Sequence, residues 1–197
     1  MRILRHSLGY FVIAALFQSH LYAVSDMEIA RMMSQGESRQ AAILEIVANR
    51  TRMLPVLLAW TNEPPRDLDV YEFRIGLADV FGALKAQEGI PFLVRNIGLD
   101  RTGEPNTWIK NPRSIKYRLP AVGALIEIGR SSIPPLIAAS WEPLTQQDRR
   151  AVIFAISQIE TTRDEAQMVR EFLTEVVADS EAARYWASVG LLRLPTK

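Results

Sequence analysis

The chain is 197 residues long, 48% hydrophobic and 23% charged, with 23 Lys plus Arg against 22 Asp plus Glu. That balance excludes an intrinsically disordered chain and a polycation. The absence of cysteine excludes disulfides, a thiolate zinc site, a cysteine nucleophile and a lipid-acylated cysteine.

Residues 1–25 read as a secretory signal. Arg2 and Arg5 give a positive start, Leu8 to Phe17 form a ten-residue apolar run, and Ala23 and Ser25 are small residues suited to a cleavage site after either one. The alternative is an uncleaved membrane anchor, but Gln18, Ser19 and His20 interrupt the run well short of the roughly 20 apolar residues a span needs. The only histidines are His6 and His20, so cleavage leaves a mature chain with no His for a Ser-His-Asp triad or a metal site. Without Arg2 and Arg5 the balance is 21 basic to 22 acidic residues, which gives no electrostatic basis for binding nucleic acid or an anionic membrane. The expected domains are therefore the signal at 1–25 and a folded domain at 26–197, exported to the periplasm or secreted.

Within the folded domain, apolar stripes at i, i+3, i+4 and i+7 predict helices of two alternating kinds. The first kind comprises Met53, Val56, Leu57 and Trp60; Ile90, Leu93, Val94 and Ile97; Ile133, Leu136, Ile137 and Ser140; and Val169, Phe172, Leu173 and Val176. Pro55, Pro91, Pro134 and Pro135 stand early in three of these copies, where a missing N–H costs no helical bond. Between them lies the second kind: Leu77, Val80, Phe81 and Leu84; Ala121, Ala124, Leu125 and Ile128; Val152, Ala155, Ile156 and Ile159; and Ala187, Gly190, Leu191 and Leu194. Three residues before each second stripe stands an arginine, Arg74, Arg118, Arg149 and Arg184. Thr61 to Pro65 and Trp141 to Pro143 carry turn chemistry, and no run sustains the period of two that a strand needs.

A helix beginning Pro-x-Leu, a polar turn, and a helix reading Arg-x-x-Ala-x-x-Ala-Leu resemble the HEAT repeat, most clearly at Arg118 to Leu125 (RLPAVGAL). The resemblance covers residues 53–194 as four helix pairs. A leading pair at 26–50 fits through Ala41, Leu44 and Ala48, although Glu45 falls at an apolar position. It implies an all-α, right-handed α-solenoid of about five HEAT-like helix pairs, each burying a face on its neighbours and leaving a concave surface. The Trp, Gly and Tyr spacing of tetratricopeptide repeats is absent, and the connections leave no room for the third helix of armadillo repeats. In this family an arginine early in the second helix bonds the preceding turn. Asp69 and Asp179, each five residues before Arg74 and Arg184, would support such bonds, whereas Arg118 and Arg149 lack this aspartate and stand more available for a ligand.

The interval from Arg74 to Arg118 is 44 residues, against 31 and 35 for the next two, and the excess lies at 98–117. An inter-helix loop of that length is usually functional or mobile. It holds Arg101, Trp108, Lys110, Arg113, Lys116 and Tyr117 against only Asp100 and Glu104. Tryptophan and arginine predominate at binding hot spots, so the expected partner-binding residues are Trp108, Lys110, Arg113 and Tyr117, with Arg118 and Arg149 beside them. An acidic group at Glu63, Asp67, Asp69 and Glu72 could pair with the loop.

These features predict a monomeric scaffold or adaptor that binds another protein, with no catalytic residue, metal or cofactor. The alternative is a binder of cell-envelope glycan, or a carboxylate-dependent glycan hydrolase. The latter needs carboxylates such as Glu63, Glu88 and Glu104 to converge, which no spacing predicts. Gly82 and Gly89 occur singly, so no phosphate-binding loop is present.

Overall fold

The structure, a computed structural model, describes residues 24–102, 112–179 and 181–195. The apolar run of the expected signal lies outside them. All regular structure among the described residues is helical.

Ser25 opens α1 (Asp26–Met33), its hydroxyl oxygen accepting the Glu28 N–H at 3.2 Å. Only Asn49 separates α2 (Arg39–Ala48) from α3 (Arg50–Trp60), and its Nδ2 donates to the Glu45 carbonyl at 3.0 Å and to Glu45 Oε1 at 2.8 Å. The Glu45 carboxylate thus helps to end α2, and Glu45 does not interrupt the buried register of that helix, which is Arg39, Ala42 and Ile46. The helix α3 starts earlier than the stripe implies, so Pro55 sits inside it, whereas Pro91 and Pro134 occupy first turns as expected.

Asp69 caps α4 (Val70–Leu84), accepting from the N–H groups of Tyr71 at 2.9 Å and Glu72 at 3.1 Å. At its other end Lys85 adopts a left-handed conformation (φ 49°, ψ 43°), while Ala86 donates to Phe81 O and Lys85 to Gly82 O, both at 3.0 Å. This is a Schellman ending with lysine where glycine is favoured. The remaining helices are α5 (Ile90–Arg95), α6 (Pro112–Arg118), α7 (Pro120–Ile128), α8 (Ile133–Ser140), α9 (Gln146–Gln158), α10 (Arg163–Asp179) and α11 (Glu181–Arg193). The stretch at 98–117 is therefore not loop throughout: its end forms α6, which packs on α7 and buries Ile115.

No position of the eight stripes from Met53 to Leu194 is exposed, but the leading set is misplaced: Ala41, Leu44 and Ala48 are exposed, and α2 buries Arg39, Ala42 and Ile46 instead. The second-kind helices meet in chain order, α4 packing on α7, α7 on α9 and α9 on α11. α1 and α2 both pack on α4, α5 lies against α7 and α8, and α10 lies against α11. A continuous core runs through these contacts, with Phe73, Phe81 and Phe154 fully buried. Edge-on aromatic pairs join neighbouring helices at Trp60–Phe73, with centroids 5.7 Å apart, and Phe154–Trp186, at 4.7 Å. The α4–α7 approach depends on Gly82, where an added Cβ would stand 2.9 Å from Ala124 Cα. No single helix among the described residues is long and apolar enough to cross a membrane.

Candidate functional site

The two ends of the 98–117 stretch are tied together at a neck. Asp100, 7% exposed, accepts from Arg118 Nε at 2.6 Å and from the Thr102 N–H and hydroxyl at 2.9 and 2.8 Å. Its carbonyl accepts the Tyr71 hydroxyl at 2.5 Å, which fixes the neck to the start of α4. Beside it, the Arg101 N–H donates to Arg118 O at 2.9 Å and Arg101 Nε to Tyr117 O at 2.8 Å. Arg118 is thus 8% exposed and committed to Asp100. This corrects the expectation that it stands available to a ligand: its aspartate comes from the neck, 18 residues earlier, rather than from five residues earlier.

The neck opens onto a cleft of about 680 Å³ between α2 and α4, lined by Gly36, Arg39, Gln40, Glu72, Asp79, Arg101 and Tyr117 among others. Two guanidinium–carboxylate contacts organise it. Arg39 is buried and donates through Nε to Met33 O at 2.9 Å and through Nη2 to Glu72 Oε2 at 2.7 Å, with Nη1 3.9 Å from Asp79 Oδ2. Arg101 Nη2 donates to Asp79 Oδ1, and its guanidinium lies over the Tyr117 ring, 5.2 Å from the centroid. Tyr117 itself is 72% exposed. Burial pushes the Asp79 carboxyl above the ordinary range, opposed by the Arg101 hydrogen bond and by the charges of Arg101 and Arg39.

A second, smaller pocket of about 110 Å³ lies among α8, α9 and α10, lined by Ser140, Trp141, Arg149, Ile153, Phe172, Glu175 and Val176. Trp141 is 61% exposed and edge-on to Phe172, with centroids 6.1 Å apart. Arg149 is half-buried, and its guanidinium has no hydrogen-bond or ion-pair partner among the described residues.

The four arginines at equivalent register therefore have four different surroundings. Arg74 is exposed and does not pair with Asp69, because that carboxylate is used to cap α4. Arg184 Nε donates to Val177 O at 3.4 Å, a backbone carbonyl within the preceding helix. Among the described residues the acidic group does not pair with the basic stretch either: Glu72 is held by Arg39, and Arg101 turns to Asp79 instead. Trp108 and Lys110 lie outside the described residues, as does the Arg113 side chain. Tyr117 and Arg149 line different cavities. Sequence reasoning missed Arg39 and Asp79, although each leaves a signal: Arg39 shares the buried register of Ala42 and Ile46, and Asp79 is a lone carboxylate in an apolar run of α4.

What the fold and these cavities define is an all-helical protein with, among the described residues, an open cleft between α2 and α4 and a smaller pocket among α8, α9 and α10. No group of three His, Asp or Glu among the described residues is placed to hold a metal ion. Compared with protein-family models, curated proteins and solved structures, the chain matches none.

Proposed function

We propose that the chain is an exported, monomeric HEAT-like α-solenoid that serves as a protein-binding scaffold in the periplasm or outside the cell. The nearest-neighbour order of α4, α7, α9 and α11 supports the solenoid, since repeat arrays bury each pair on the next. The observation that carries the binding role is the α8–α10 pocket: an exposed Trp141 stands beside a half-buried Arg149 with no partner among the described residues, over an apolar floor of Ile153, Phe172 and Val176. Tryptophan and arginine around a small apolar pocket are the chemistry of an interface hot spot. The pocket takes one apolar side chain of a partner, flanked by a carboxylate for Arg149 and a cation for Glu175.

Export is supported by the sequence of 1–25 and refined by the first helix. Val24 packs on the core and Ser25 caps α1, so cleavage after Ala23 retains both, whereas cleavage after Ser25 removes them. The intact mass of the exported protein tests this, with Val24 as the expected first residue. For the binding role, the test is the affinity of a partner isolated by cross-linking from envelope extracts. Trp141→Ala and Arg149→Ala each weaken it by about 30-fold or more, the scale of a hot spot. An unchanged affinity in both variants refutes the assignment.

A further inference from the structure

We propose that the cleft between α2 and α4 is a saccharide site, which takes a short neutral oligosaccharide with one sugar ring stacked on Tyr117. The inference is independent of the α8–α10 pocket and concerns a different ligand class.

Size comes first. At about 680 Å³ the cleft falls within the roughly 300–1,000 Å³ of small-ligand sites. Charge then narrows the ligand. Arg39 and Arg101 face Glu72 and Asp79, so the lining carries two positive and two negative groups and offers no net field. An anion entering it would meet the two carboxylates, and a cation the two guanidinium groups, each at close range. Neither gains enough to displace the existing ion pairs, whose charges already satisfy each other. A hydrocarbon ligand would leave these polar groups without water.

What the ion pairs leave over is hydrogen-bonding capacity of both kinds. Among the described residues no bond occupies Arg101 Nη1, Glu72 Oε1 or the Gln40 side-chain amide. These are donors and acceptors on planar groups, and those of Arg101 and Glu72 are held in place by their other bonds. Vicinal sugar hydroxyls both donate and accept, and so match a wall that presents both. Tyr117 supplies the remaining element. Its ring is 72% exposed at the edge of the cleft; Arg101 holds the Tyr117 backbone through its carbonyl and places its guanidinium over the ring, 5.2 Å from the centroid. An exposed aromatic ring beside planar polar groups is a platform for the C–H face of a pyranose.

The test is isothermal titration of the purified protein with chitotetraose and cellotetraose as neutral probes, tetragalacturonate as an anionic one and tetralysine as a cationic one. At least one neutral probe binds, and neither charged probe binds more tightly. Tyr117→Ala weakens that binding by about tenfold or more, whereas Tyr117→Phe retains most of it because the ring remains. Gly36→Trp provides a second variant: a Cβ at Gly36 meets nothing within 4 Å, so the new side chain obstructs the cleft without disturbing the fold. It also abolishes binding, at an unchanged melting temperature. Trp141→Ala leaves saccharide binding intact, which separates this site from the proposed partner pocket. Absence of binding by both neutral probes, tighter binding of a charged probe, or binding that survives both Tyr117→Ala and Gly36→Trp overturns the proposal.

Discussion

Replacing Asp100 by alanine removes the bond that closes the neck. The carboxylate accepts three hydrogen bonds, at 2.6 Å from Arg118 and at 2.9 and 2.8 Å from Thr102, and the two charged side chains are only 9% and 10% exposed. Breaking a buried pair from one side costs about 3–5 kcal/mol, because the other charge stays desolvated. An exposed pair would cost about 0–1 kcal/mol. In a domain of this size each kcal/mol lowers the melting temperature by roughly 2–4 °C, so Asp100→Ala should melt about 6–20 °C below the wild type. Urea denaturation of Asp100→Ala, Arg118→Met and the double variant measures the coupling. The double variant should be less destabilised than the sum of the single ones by well over 1 kcal/mol, since it removes both charges together. A cost for Asp100→Ala under about 1 kcal/mol, or strict additivity, would refute the reading of the neck as a buried clamp.

Three further outcomes follow from local geometry. Lys85→Gly should stabilise the protein by about 1 kcal/mol in urea denaturation, because the αL ending of α4 penalises a side chain at φ 49°. Gly82→Ala should destabilise it by about 1–2 kcal/mol. The new Cβ meets Ala124 Cα at 2.9 Å and Ala124 Cβ at 3.1 Å, and this overpacking outweighs the helix-propensity gain of about 1 kcal/mol, whereas the open Gly36→Ala should be nearly neutral. The pH dependence of stability should differ in sign between two carboxylates. Glu165 accepts from the Thr162 N–H at 2.9 Å, which lowers its pKa below the ordinary 4.5; its contribution is complete above pH 4.5 and fades as pH falls through the lowered value, so the advantage of wild type over Glu165→Gln shrinks on acidification. Asp79 has a pKa raised above 3.8 by burial, so its contribution is greatest below that pH and declines as pH rises through the raised value. Urea titrations from pH 3 to pH 7 against Glu165→Gln and Asp79→Asn check both signs.

The helices were legible because their information is local. Each stripe recurs at a spacing only a helix brings to one face, and Asp69 and Thr145 stand where helices α4 and α9 begin and cap them. The register of the arginines was legible, but their partners were not. A side-chain bond depends on which backbone groups compete for the carboxylate: Asp69 lies within reach of the α4 N–H groups and caps them, while Asp100 meets Arg118, 18 residues later, at a spacing that no fixed pattern encodes. Arg39 and Asp79 escaped notice for a related reason. Each reads as an interruption of an apolar face, and only the packing of α2 on α4 turns the two interruptions into one cleft. Trp141 read as a turn residue, and its pocket exists because α8, α9 and α10 meet beneath it.

The most direct test of the scaffold account is photo-cross-linking in intact cells, with a photoreactive amino acid placed at position 142, exposed and adjacent to Trp141, and, as a control, at position 192 on α11, where Leu192 is 87% exposed. The account predicts a discrete protein adduct from position 142 that is absent from position 192 and is lost when Arg149 is changed to alanine. Identical adducts from both positions, or none from position 142, would contradict it.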